Sequence, residues 1–451
     1  MPLPPGPPKF APWLALRWLR DPFTMMRQLR AEYGETFSVH LGLLPPMVIV
    51  SNPEHVREVF AASGDEMHAG KLAAGLRPFL GERSLLVLDG AEHRTMRKLL
   101  MPPFQGERME QYGAQMVDIT HDSLDGWPLG RPFAVHRPMQ SITMEVILRT
   151  VFGLDEVQGR EALRAQLGEL LEIASWPPLL LPVMQRDLGP WSPWGRFVRK
   201  AERADAMLRE VVEKRRAEGT AGRTDILSRM LDARDDDGSG LSDADLRDEL
   251  VTLLVAGHET TATALSWALE CLLQSPRVLA KLQAEVDDAA REGLAPARVA
   301  KLEYLDAVVR ESLRLRPIIP MVGRILQAPR RIAGLDLPAG VGIAPSIYLA
   351  HRRPEAFPEP ELFRPERFLE RKVSPAEWFP FGGGVRRCIG MAFALYEMKM
   401  VLATVLSRVR LRAAPGPAVR PVRRSITMAP SGGMPVVLEA RTLRWPVAAS
   451  A

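Results

Sequence analysis

The chain has 451 residues, of which 46% are hydrophobic and 25% charged, with a formal charge of +5. This is the composition of a globular protein with a large core. Two cysteines exclude a disulfide framework and fit a reducing compartment. The charges are interspersed and no Lys/Arg block alternates with aromatics, which speaks against nucleic-acid binding. The basic surplus suits an acidic protein partner that docks by electrostatic steering.

Residues 1–10 are proline-rich, and residues 11–20 are too short and too basic to span a bilayer. Neither a transmembrane anchor nor a cleavable signal is expected, and the expected location is cytoplasmic. Met47–Val50 reads as a short apolar strand, followed by a helix beginning near Ser51-Asn-Pro-Glu. A helix around 90–101 carries His93 and Arg97 one turn apart. From 160 to 218 the pattern is helical, broken at Trp176-Pro-Pro and again at Gly189-Pro-Trp-Ser-Pro. The run 235–240 is an acidic, solvated connection.

The longest helix is predicted from about Ser242 to Gln274. Ser242 with Asp245 forms a cap signature and Pro276 closes the far end. At 1.5 Å per residue such a helix spans roughly 50 Å. Helices follow at 276–292 and 301–315, then strands and turns to 350, a proline-punctuated stretch at 351–380, and a helix at 391–410. Ser425–Gly433 and Val436–Glu439 suggest a terminal hairpin. No linker appears, so residues 1–451 are expected to form one mainly α domain with small β-sheets, an α+β arrangement.

The most informative stretch is 379–390, with Phe381, Gly384, Arg386, Cys388 and Gly390 at fixed spacing. A lone cysteine in a glycine-rich turn is usually a small buried residue, and Cys271, in an apolar run, reads that way. The full five-position pattern instead resembles the cysteine-ligand loop of the cytochrome P-450 superfamily, soluble bacterial type. The resemblance implies that Cys388 ligates the iron of haem b as a thiolate, with Phe381 packed beside the sulfur and glycines at 382–384 and 390 allowing close approach. It also implies the family fold, with a long central helix over the haem and the cysteine loop beneath it.

Four further constellations fit the same family. Ala256-Gly257-His258-Glu259-Thr260 on the long helix resembles its oxygen-activation motif. The motif implies a locally loosened helix, Thr260 hydrogen-bonding to oxygen and Glu259 relaying protons. Read alone, Gly257 equally suits close packing of another helix. Glu311 and Arg314 are by themselves an ordinary i, i+3 pair, but with Arg367 they match the family's structural Glu-Arg-Arg triad. His93, Arg97, Arg324 and Arg386 match its propionate-binding groups, since guanidinium binds carboxylate through paired hydrogen bonds. Finally, the resemblance places a substrate pocket at Met67, Leu72, Leu76, Phe79 and Leu85. Its further walls are Trp176, Leu180, Leu253, Ile319, Met321 and Met428, any of which could equally be core. Arg77 at the loop edge could meet a substrate carboxylate.

The implied activity is a monooxygenase that inserts one oxygen atom from O2 into a hydrophobic small molecule such as a terpenoid or fatty acid. Electrons would come from a ferredoxin and its reductase, docking on the basic face around Arg94, Lys98 and Arg387, because no fused reductase domain is expected. A peroxide-driven peroxygenase is the alternative; such members tend to lack the acid–threonine pair. A non-enzymatic haem sensor or carrier fits less well, having no use for the acid–threonine groove.

Overall fold

The computed structural model describes residues 2–8, 12–42, 44–104, 108–154, 157–291 and 293–442. Helices dominate, and the longest, Asp243–Leu273, runs through the centre. It starts where expected: Ser242 Oγ accepts from Asp245 N–H and the Asp245 carboxylate answers the Ser242 N–H, a closed capping box. From Thr261 to Leu272 nearly every side chain is buried, as suits a helix enclosed on all sides. Its main neighbour is the helix His136–Thr150. A Cβ on Gly257 would stand 3.1 Å from Ile147 Cδ1, so glycine permits this approach. Further along, the Trp267 indole N–H donates to the Met428 carbonyl at 2.8 Å and fixes the helix to the C-terminal strands.

The helices Pro276–Arg291, Glu303–Leu315 and Met391–Arg408 pack on its other flank. The break in the 160–218 region is real. Val157–Ala174 and Pro193–Glu218 are separated by two short 3-10 turns, Pro177–Leu180 and Pro182–Met184.

A five-stranded sheet has the order Thr36–Val39, Met47–Val50, Gly342–Pro345, Arg324–Leu326, Met67–His68. Met47 pairs with Gly342 in parallel register, and Arg324 opposes Ile343 antiparallel. The strand Arg324–Leu326 thereby projects Arg324 toward the cysteine loop. The C-terminal region departs from expectation. The hairpin is Pro421–Arg424 with Thr427–Pro430, turning at Ser425, which adopts a φ of 51°. Pro435–Arg441 belongs to another sheet, between Pro132–Ala134 and Val409–Ala413. Those pairings are long-range, so alternation along the sequence could not assign the partner.

Among the described residues no helix is long and apolar enough to cross a membrane. Of the proline-rich start, residues 1, 9 and 10 lie outside the described set.

Candidate active site

The cysteine loop is built from backbone constraints. Cys388 N–H donates to the Phe381 carbonyl at 2.9 Å, closing the loop on itself. Gly382 and Gly384 take φ values of 67° and 61°, which side-chain-bearing residues adopt at a cost. Gly383 is extended, but a Cβ there would strike the Phe60 ring, and one on Gly384 would strike the Phe60 carbonyl. Gly390 differs from expectation: its φ is −86° and a Cβ would meet nothing within 4 Å. Its N–H favours the thiolate through a backbone hydrogen bond.

The Cys388 thiol is surrounded by protein yet carries accessible surface, so that surface faces an internal opening. Burial raises its pKa; the Gly390 N–H and the Arg97 charge pull it back. A soft sulfur donor with compensating N–H and guanidinium groups is the donor set that a thiolate-ligated haem iron requires.

Three guanidinium groups, of Arg97, Arg324 and Arg386, converge around a neutral His93 here. His93 is 3% exposed, and burial together with Arg386, Arg97 and Arg324 lowers its pKa to about 3. Asp89 is the carboxylate that opposes them. Arg386 reaches the Leu85 carbonyl at 3.0 Å and also the Leu88 carbonyl and Asp89. Arg324 donates to the Val59 carbonyl at 3.0 Å and the Gly383 carbonyl at 2.6 Å, with its guanidinium over the Phe60 ring. A buried cluster with excess positive charge calls for an anionic partner, and haem propionates supply one. The residues present thus fit the group.

On the long helix, Ala256 is exposed and Thr260 partly so, although neighbouring turns are buried. The helix is unbroken here rather than opened. Thr260 Oγ1 donates to the Ala256 carbonyl at 2.5 Å, and Thr143 Oγ1 donates to the His258 carbonyl at 3.1 Å. Hydroxyls thus compete for carbonyls of this turn without unwinding it.

Glu259 points the other way, toward the helix His136–Thr150 and the terminal hairpin. Gln140 Nε2 donates to it at 2.7 Å, Arg424 Nε lies 3.3 Å away and His136 Nε2 3.5 Å away. A cavity of about 380 Å³ borders it, also lined by Glu169, Glu172, His258 and Arg424. Burial raises the Glu259 pKa, opposed by Arg424 and Gln140. The sequence singled out none of Gln140, His136 and Arg424; a buried acid demands partners, but nothing local names them.

Glu311, Arg314 and Arg367 are brought together and buried. Arg314 binds Glu311 through two bonds of 2.7 and 2.9 Å, and Arg367 Nε binds it at 3.0 Å. Arg314 also donates to the carbonyls of His351, Pro360 and Leu362.

The expected pocket residues divide. Leu72, Leu76, Phe79, Leu253, Ile319 and Met321 are partly accessible, whereas Leu85, Met67 and Met428 are enclosed. Trp176 is 44% exposed and the Leu180 side chain lies outside the described set. Arg77 sits 3.5 Å from Glu82. Of the basic face, Arg94 pairs with Asp65 at 2.7 Å and Lys98 with Asp236 at 2.5 Å, while Arg387 is exposed. Cys271 is buried, as expected of a small core residue.

A mainly helical fold with a cysteine loop under a cationic cluster defines a haem-thiolate oxidoreductase. Comparison with known proteins gives the particular family. The Cytochrome P450 family model matches residues 4–436. The chain is 40% identical over 437 residues to cytochrome P450 135B1 of Mycobacterium tuberculosis, covering 96% of this chain and 90% of that one. It is 37% identical over 442 residues to cytochrome P450 135A1 of the same organism, covering 96% and 94%. A solved structure, retinoic acid bound cyanobacterial CYP120A1, is similar with a TM-score of 0.84 and 26% identity, over 98% of this chain and 100% of that one. The chain belongs to the cytochrome P450 family. It is a haem b-dependent monooxygenase using O2, a substrate and redox partners.

Proposed function

We propose that the protein, as one catalytic domain over 1–451, oxygenates a hydrophobic small molecule of the terpenoid, fatty-acid or related lipid-like kind, in the cytoplasm. The carrying observation is the character of the partly accessible residues. Leu72, Leu76, Phe79, Leu253, Ile319 and Met321 are all apolar, and Arg77 is answered by Glu82. The retinoic acid named for CYP120A1 is a ligand of this character.

In this reading Cys388 would ligate the haem iron, and His93, Arg97, Arg324 and Arg386 would hold the propionates. Bound haem supplies dioxygen activation, in which one oxygen atom goes to substrate and the other leaves as water with two electrons and two protons. Thr260, whose hydroxyl donates to the Ala256 carbonyl, would be the hydrogen-bond donor offered beside the bound haem. Glu259, whose pKa burial raises, passes protons from the 380 Å³ cavity toward Thr260. Glu311, Arg314 and Arg367 fix the 351–380 segment that leads into the cysteine loop. A ferredoxin and its reductase deliver electrons at the face carrying Arg387, where Arg94 and Lys98 already have carboxylate partners.

Optical titration of the ferric protein with fatty acids, sesquiterpenes, steroids and macrolides tests this. A low-to-high-spin shift with one apolar class supports the reading, and none with any class overturns it.

A further inference from the structure

The segment Gly81–Leu88 crosses between the long helix and the cysteine loop, and the helix grips it at successive positions on one face. Asp245 Oδ1 accepts from Arg83 Nε at 3.0 Å, and Asp248 Oδ2 from the Arg83 backbone N–H at 2.8 Å. Glu249 Oε1 accepts from the Leu85 N–H at 2.6 Å, and Thr252 Oγ1 lies 2.7 Å from Ser84 Oγ. At the other side of the same residue, the Leu85 carbonyl takes the Arg386 guanidinium. Leu85 is thus held by its N–H to the helix and by its C=O to a side chain two positions before Cys388. Gly81, at a φ of 93°, lies so close to Asp248 that a Cβ would strike the carboxyl group.

Glu249 stands out among these groups. It is 0% exposed, and its second oxygen, Oε2, is buried without a hydrogen-bond partner. With no accessible surface it touches neither bulk water nor a ligand, so its influence passes through Leu85. The charges on the helix around it are Asp245 and Asp248, both carboxylates, and Arg247, which is turned to Asp205 on the helix Pro193–Glu218 and to Asp248. From the segment itself come Arg83, shared with Asp245 and, at 3.8 Å, Glu92 on the helix Gly90–Leu100, and Glu82, which pairs with Arg77 on the short helix just before the segment.

We propose that Glu249 is a positioning residue: by holding Leu85 it keeps Gly81–Leu88 closed against the long helix, and so governs how readily bulky ligands reach the space above Cys388. The carboxyl is suited to a latch that opens on the alkaline side. Burial first, then Asp248 and Asp245, raise its pKa to about 8 against the pull of the Leu85 N–H. As a neutral acid it accepts that bond without a buried charge. Once ionised, it gains by letting the segment move and admitting water.

The test uses the reduced holoprotein and two ligands without titrating groups, tert-butyl isocyanide and carbon monoxide, followed by stopped flow between pH 6.5 and 9. The expected result is a several-fold rise in the isocyanide association rate centred near pH 8, with little change for carbon monoxide. Glu249→Gln, whose amide oxygen still accepts from Leu85, should stay slow and flat across the range. Asp248→Asn, which removes a neighbouring charge, should move the midpoint to lower pH. A flat wild-type profile, or a Glu249→Gln profile like the wild type's, overturns the proposal. Hydrogen exchange of the 81–88 peptide, corrected for intrinsic rate, should show the same pH step. That readout needs no ligand at Cys388, so failure of the latch and failure of the haem-site reading are separable.

Discussion

Thr260 and Glu259 are sequence neighbours that face different surroundings, one toward the exposed turn at Ala256, the other into a polar nest. On the proposed reading their loss has distinguishable effects. Thr260→Ala should keep electron consumption near normal but divert it to peroxide, lowering product per electron several-fold. Glu259→Gln should slow turnover by roughly 10²-fold, the low end of what a positioned acid supplies. Measuring NAD(P)H, peroxide and product together separates the two, and unchanged coupling in Thr260→Ala would remove its assigned role. At this scale the sequence was informative where chemistry is local, as in Cys388 and its loop. It was silent on Gln140, which contacts Glu259 across 119 positions, and on Glu249, which binds Leu85 across 164. Such partners share no spacing rule, because the fold alone brings them together.

Among the elements, the long helix was legible because its cap, its length and its closing proline all act within a few residues. The 351–380 stretch was not, since it has almost no periodicity and its order comes from side chains reaching its carbonyls. Arg314 and Arg367 perform this task, and Glu311, 0% exposed, neutralises both. Replacing Glu311 by Gln leaves two buried guanidinium groups under-compensated and should cost about 3–5 kcal/mol. Ser242→Ala, which removes only the helix cap, should cost about 1 kcal/mol. Denaturant midpoints of the two variants check the order; equal losses would mean that the triad carries no more than an ordinary surface contact. The terminal strands teach the same lesson: their alternation was visible, but their partners at 132–134 and 409–413 were not.

For the whole molecule, buried titratable groups of two kinds set a stability window. Burial lowers His136 and His258 to about 4 and pushes His351 well below its ordinary 6.5. Below pH 6.5 the unfolded chain therefore binds more protons at these sites, and stability falls as the pH drops toward 4. Burial raises Glu249 to about 8 and Glu397 well above its ordinary 4.5. Above 4.5 the folded chain binds more protons at these carboxyls, at Glu249 until about 8, so their contribution is full at low pH and lost as pH rises. The two trends oppose each other only between 4.5 and 6.5, and the melting temperature should peak there and decline on both sides. A melting temperature that climbs steadily from pH 6.5 to 9 would contradict the assignment of the buried carboxyls.

The hairpin Pro421–Pro430 joins tasks that a designer would prefer to keep apart. Its Met428 backbone links to Ile318 and to Trp267 on the long helix, while its Arg424 reaches Glu259 beside the polar cavity. On the proposed reading, reshaping this short piece of chain to admit a different substrate would disturb the proton supply at the same time. Selectivity and efficient use of electrons would then be tied through one hairpin, and redesign of either is best begun elsewhere.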